Sequence, residues 1–284
     1  MRTPITLLAL LGGLVAIFGI AISLGEAIVD GVTPASPRQS GPPSAGDNDH
    51  RTVPGGLAVA DQGYVLRPRT TRFTAGETSN FLFTVFTANG KPVTDFARNK
   101  DRRMSLVVVR RDMSGYQHLH PIMAPDGTWS VPLQLDPPGS YRAFAEFLPG
   151  AATVPVTLGV DLDAPGLVEP GPIPKMSSSA KVDDYTVIGT GDLIAGSVSR
   201  LWMHVIRDDV PVTDLDAYLG HAGRLVVLRE GDLAYLQVRP ISGPSRDTTI
   251  GFEVDVPSAG FYRLFLEFQH HGRVRTAEFT VLAR

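Results

Sequence analysis

The chain has 284 residues, long enough for about two domains, and its 26 basic against 29 acidic side chains leave no broad positive field for nucleic acid. It contains no cysteine, which excludes a disulfide framework, nucleophilic or redox thiols and thiolate metal sites. Its 29 glycines and 23 prolines suit turn-rich β domains stabilised by apolar burial alone.

From Thr3 to Gly25 no residue is charged, and the run is apolar almost throughout. Spanning the hydrocarbon of a bilayer takes ~20 residues, whereas a secretory signal needs only ~7 to 15, so residues 1–30 read as a transmembrane anchor with residues 3–25 in the membrane. Arg2 before the segment and Glu26 and Asp30 after it place the bulk of the chain outside the cytoplasm. The alternative is a long signal cleaved near Ala21–Ser23 or Gly25–Ala27, which makes the protein secreted. Residues 31–57, rich in Pro, Gly and Ser, cannot offset the entropy of ordering and read as a disordered tether.

Beyond the tether the chain repeats itself. AGETSNFLFTVFTANGKPVTDF (75–96) aligns with AGSVSRLWMHVIRDDVPVTDL (195–215), LVVVR (106–110) with LVVLR (225–229), and GSYRAFAEF (139–147) with GFYRLFLEF (260–268). A period near 120 residues is far longer than the ~20 to 50 of stacked solenoid repeats and marks two copies of one domain. The first spans 58–163 and the second 182–284. Between them residues 164–181 carry four prolines and read as a semi-rigid spacer.

Each copy contains short apolar runs bounded by turn residues, with period-two alternation, as in Tyr262, Leu264, Leu266 and Phe268. In the first copy strands are expected near Tyr64 and over 81–87, 106–111, 117–120, 129–135, 141–147 and 154–160. The fold class is therefore all-β, two tandem immunoglobulin-like β-sandwich domains behind an N-terminal transmembrane helix. Phe144 and Phe265 fall at matching positions on the outward face, where they pack under a loop or across a module contact.

The copies differ at His118-Leu119-His120-Pro121, whose counterpart reads Gln237-Val238-Arg239-Pro240. Residues two apart on a strand share a face, so both imidazoles project together, close enough to share a metal. Met113 and Met123 flank them, and a His/Met set outside the cytoplasm points to copper. The plainer account leaves the histidines as strand residues and the methionines as core filler. In the second copy, His204 reads as a half-buried side chain, His221 as a loop residue, and His270-His271 as a solvated hairpin turn in which neighbouring side chains diverge. The basic run 98–103 reads as a solvated loop.

The LVV strand, the His-x-His-Pro segment and the YRxFxEF strand together resemble extracytoplasmic β-sandwich modules of the YtkA-like type. That resemblance implies a third imidazole just before LVV, where this chain has Ser105 and Arg224, and a link to heavy-metal handling. No zinc-protease, nucleophile-elbow or phosphate-loop motif is present, and Gly189-Thr-Gly191 is too short for a dinucleotide fingerprint, so the chain does not read as an enzyme. The expected function is that of a membrane-anchored extracytoplasmic binding or assembly module with an extracytoplasmic protein partner. Its alternatives are a copper-binding accessory protein using His118, His120, Met113 and Met123, and a structural cell-surface spacer.

Overall fold

The structure, a computed structural model, describes residues 54–98, 102–150, 152–241 and 249–284. The expected anchor, and the tether as far as residue 53, lie outside these. The described residues are all-β and contain no helix. In the first module the strands are β1 (Ala60–Asp61), β2 (Tyr64–Pro68), β3 (Thr78–Thr87), β4 (Met104–Arg110), β5 (Gln117–Leu119), β6 (Ile122–Met123), β7 (Thr128–Gln134), β8 (Gly139–Phe147) and β9 (Val156–Ala164). In the second they are β10 (Ser179–Val182), β11 (Tyr185–Thr190), β12 (Ser197–Arg207), β13 (Val210–Pro211), β14 (Arg224–Arg229), β15 (Val238–Ile241), β16 (Thr249–Val256), β17 (Gly260–His270) and β18 (Arg273–Ala283).

The two modules repeat one topology. Sheet β1-β2-β3-β7-β6 faces sheet β5-β4-β8-β9, and in the second module β10-β11-β12-β16-β15 faces β14-β17-β18. Alternation decides what lies between the sheets. Phe81, Phe83 and Val85 of β3 point inward against Leu106 and Val108 of β4 and Tyr141, Ala143 and Ala145 of β8; Leu201, Met203 and Val205 do the same against Leu225, Val227, Leu264 and Leu266. At the start of β8 the Tyr141 hydroxyl donates to the Pro137 carbonyl at 2.5 Å, and at the start of β17 Tyr262 donates to that of Ser258 at 2.8 Å. A tyrosine bonded back to the backbone just upstream is the corner of Greek-key sandwiches, and its presence in both modules makes the duplication structural.

Neither connecting stretch is free along its whole length. Gly55 and Gly56, expected in the tether, are tied by bonds from Gly56 N to the Thr157 carbonyl (2.9 Å) and from Tyr235 N to the Gly55 carbonyl (3.1 Å). One end of the tether thus joins β9 of the first module to the second. In the inter-module stretch the Glu169 carbonyl accepts from Arg110, Gly171 N donates to Asp112, and residues 179–181 belong to β10. A Cβ at Gly159 would come within 1.9 Å of the Gly56 carbonyl oxygen. Gly159→Ala is therefore expected to cost about 1 to 3 kcal/mol, the usual range for overpacking. Chemical denaturation measures this, and an unchanged midpoint would show that residues 55–56 are not seated there.

Candidate functional site

Strands β4, β8, β14 and β17 are buried on both faces, because the face turned away from each module's core meets the other module. Val107, Val109, Met113 and Phe144 of the first module form one apolar cluster with Val226, Leu228, Leu233, Tyr235 and Phe265 of the second, and Tyr116 and Ile173 pack at its edge. Phe144 and Phe265 thus pack across the module contact.

The seam has a pseudo-two-fold exchange, as expected when two copies of one surface meet. Tyr116 crosses to stack on Phe265 at 4.2 Å with planes 8° apart, and its hydroxyl donates to Glu267 Oε1 at 3.1 Å. Its counterpart Tyr235 packs on Phe144 at 5.3 Å and donates to Glu146 Oε2 at 3.0 Å. Arg142 and Arg263 lie over Phe144 and Phe265, at 5.9 and 5.3 Å.

The symmetry breaks at the centre. Ser105 and Arg224 occupy equivalent positions, opposite Glu146 on β8 and Glu267 on β17. Arg224 Nη1 donates to Ser105 Oγ at 2.6 Å and also to His118 Nε2, while Nη2 donates to Glu146 Oε2 at 2.7 Å and to the Tyr235 hydroxyl at 2.8 Å. His118 Nδ1 meets Glu267 Oε2 at 2.6 Å. A guanidinium can only donate, so His118 Nε2 accepts and Nδ1 carries the proton given to Glu267. A neutral imidazole of the first module thus bridges a cation and an anion of the second. The His118 and Glu267 side chains are 2% and 3% exposed.

Electrostatics agree with this tautomer. Burial lowers the His118 pKa and outweighs the raising effect of the Glu267 hydrogen bond. Burial alone would raise the Glu267 carboxyl, but the hydrogen bond from His118, the Arg224 charge and the Tyr116 hydroxyl bring it below its ordinary value. Burial, then the Glu267 charge, pushes the Tyr116 phenol well above its ordinary value.

Of the four residues expected to hold copper, two come together. The His118 and His120 rings lie 4.5 Å apart at 74°, on the common face that strand alternation requires. His120 Nδ1 is buried without a hydrogen-bond partner, and burial, then the neighbouring His118, Arg102 and Arg224, pushes its pKa down to about 3. Met113, at φ 66°, is buried within the apolar seam, whereas Met123 on β6 packs against the core of the first module. Both His118 nitrogens are engaged, so a metal there has to displace Arg224 or Glu267. Arg224 stands out in the sequence only as a departure from the expected imidazole, and Glu267, Tyr116, Tyr235 and Glu146 do not stand out as site residues. The available signal was the glutamate at the same outward strand position in both copies, Glu146 and Glu267, beside an equally matched phenylalanine.

A family model described as a domain of unknown function (DUF8832) matches the chain twice, over residues 58–163 and 180–284. No curated protein matches it. Among solved structures, an Escherichia coli adhesin, FdeC, is similar at 12% identity and a TM-score of 0.25, covering 80% of this chain and 66% of its own. A Salmonella alpha-2-macroglobulin shows 12% identity, a TM-score of 0.28 and coverage of 80% and 15%. Domains 4–9 of the surface-layer protein SbsC show 13% identity, a TM-score of 0.22 and coverage of 78% and 31%.

Proposed function

We propose, from the premise that the chain belongs to the DUF8832 family across both modules, that it is a membrane-held extracytoplasmic element for binding or assembly in which two immunoglobulin-like sandwiches act as one block. The seam carries this reading. It consumes one sheet of each module, satisfies its central charges across the contact and leaves the other sheet of each module turned outward. A spacer would gain reach by joining modules end to end. Sheets stacked face to face add only about 10 Å per layer, so the second module widens the block more than it lengthens it. In this reading His118 is a seam residue, and the protein binds rather than catalyses.

Small-angle scattering on residues 54–284 tests the block. The expected radius of gyration is about 17 to 19 Å, that of one globule of this length. A clearly larger value, as from modules in a row, overturns it. Protease applied to intact cells tests the location, with the modules expected to be cut from the membrane fraction. Protected modules, or a mature chain starting near Glu26 in the soluble fraction, sink the membrane-held part of the proposal.

A further inference from the structure

The tip of the β17–β18 hairpin differs from its sequence expectation. His270 pairs with Arg273 across a two-residue loop, His271-Gly272, whose φ angles are 53° and 72°. Positive φ at both central positions makes the tight turn that suits the twist of a hairpin. It also swings the His271 side chain back, so the two rings do not diverge but stack at 3.8 Å and 27°. His270 is buried rather than solvated, at 4% exposure.

The stretch following β13 fastens onto this tip. Asp216 N donates to the Gln269 carbonyl at 2.9 Å, Gly272 N donates to Asp216 Oδ2 at 2.8 Å, and Asp214 Oδ1 is brought to 3.1 Å from His270 Nε2. One ligand atom each from Asp214, His270 and His271 lie within 4.8 Å of one another, with Asp214 and His271 exposed and His270 buried. We propose that Asp214, His270 and His271 form a binding site for a borderline divalent cation of the zinc or copper(II) class.

Three features of the geometry carry this. Zinc held by nitrogen and oxygen at about 2.0 to 2.1 Å puts neighbouring tetrahedral ligands roughly 3.3 Å apart, close to the spacing already set between Asp214 and His270. The other nitrogen of His270, Nδ1, lies 2.8 Å from the hydroxyl of Tyr185, itself buried at 1% exposure. Without metal, Nε2–H donates to the Asp214 carboxylate, which can only accept, and Nδ1 accepts from Tyr185. A cation would displace the Nε2 proton, and Nδ1–H given to the Tyr185 hydroxyl would then supply the outer support that orients metal-binding imidazoles. The nearby cations are engaged elsewhere: Arg275 and Arg273 reach Asp183 at 3.0 and 3.5 Å, and Arg275 also covers the Tyr185 ring at 4.5 Å. Two imidazoles and one carboxylate, with no thiolate or thioether, suit zinc and copper(II) rather than copper(I), and an all-oxygen preference disfavours calcium and magnesium here.

Tag-free, chelator-stripped full-length protein titrated calorimetrically with zinc chloride, and separately with copper(II) chloride, tests the site. One equivalent is expected to bind. His271→Ala and Asp214→Asn, at exposed positions that leave the apo fold intact by circular dichroism, should each weaken affinity about tenfold or more. His118→Gln with His120→Gln should leave it unchanged. Copper(II) resonance spectra should show coupling to two imidazole nitrogens in the wild type and to one in His271→Ala. Wild-type affinity in both the Asp214 and His271 variants, loss of binding in the His118/His120 variant, or no uptake of either metal by the wild type overturns the proposal.

Discussion

Alanine in place of Glu267 is expected to destabilise the protein by about 2 to 6 kcal/mol, since two buried donors lose their acceptor at roughly 1 to 3 kcal/mol each. The substitution leaves the Nδ1–H of His118 and the hydroxyl of Tyr116 without their acceptor. It also removes a nearby negative charge that favours the Arg224 cation, whose direct ion pair is with Glu146. In a unit of this size each kcal/mol shifts the melting temperature by roughly 2 to 4 °C, so a fall of about 10 °C is the readable signal. Because the lost bonds join the modules, the melt should also broaden or split as the two begin to unfold separately. Glu267→Gln keeps the shape and one acceptor, and should cost less. A loss below about 1 kcal/mol for the alanine variant, the level of an exposed ion pair, would show that the network is solvated rather than sealed.

Acid is expected to weaken the protein from about pH 6.5 downward, where unfolded histidines begin to take up protons. Folded, His120 holds off protonation until about pH 3, and the His118 pKa is lowered too, both chiefly through burial. The unfolded chain therefore binds protons that the folded chain refuses, and stability falls with pH by at most about 1.4 kcal/mol per unit for each histidine. Glu267 acts in the same direction lower down. Its carboxyl is held below its ordinary 4.5, so its contribution is complete above that value and is lost as pH drops through the folded value. Urea midpoints measured from neutral to mildly acidic pH should fall steadily, and His120→Gln should flatten the decline. Stability that stays level or rises on acidification would mean that these histidines are already protonated or reached by water in the native state.

Alternation told correctly which residues of β8 face the core, because Tyr141, Ala143, Ala145 and Phe147 obey it without exception. It could not tell that Arg142, Phe144 and Glu146, on the opposite side, are covered too, because a strand sealed by a second module has the same period as one facing water. The matched phenylalanines and the matched glutamates beside them are the visible sign. His118 and Glu267 are separated by 149 residues, so no local spacing encodes their bond. Met113 and Met123 flank the histidines in sequence, yet a positive-φ turn carries one into the seam while the other follows β6 onto the core. At the hairpin tip the sequence suggests a turn with diverging rings, and the left-handed backbone of His271 stacks them instead.

Gly55 and Gly56 are hydrogen-bonded to both modules, through Thr157 on one side and Tyr235 on the other, and the Gly56 carbonyl also accepts from Arg142 Nε at 2.8 Å. Residues 55 and 56 are consequently held by both halves at once. Force applied at these two residues would load bonds to both halves in parallel, so the join would carry it as one piece.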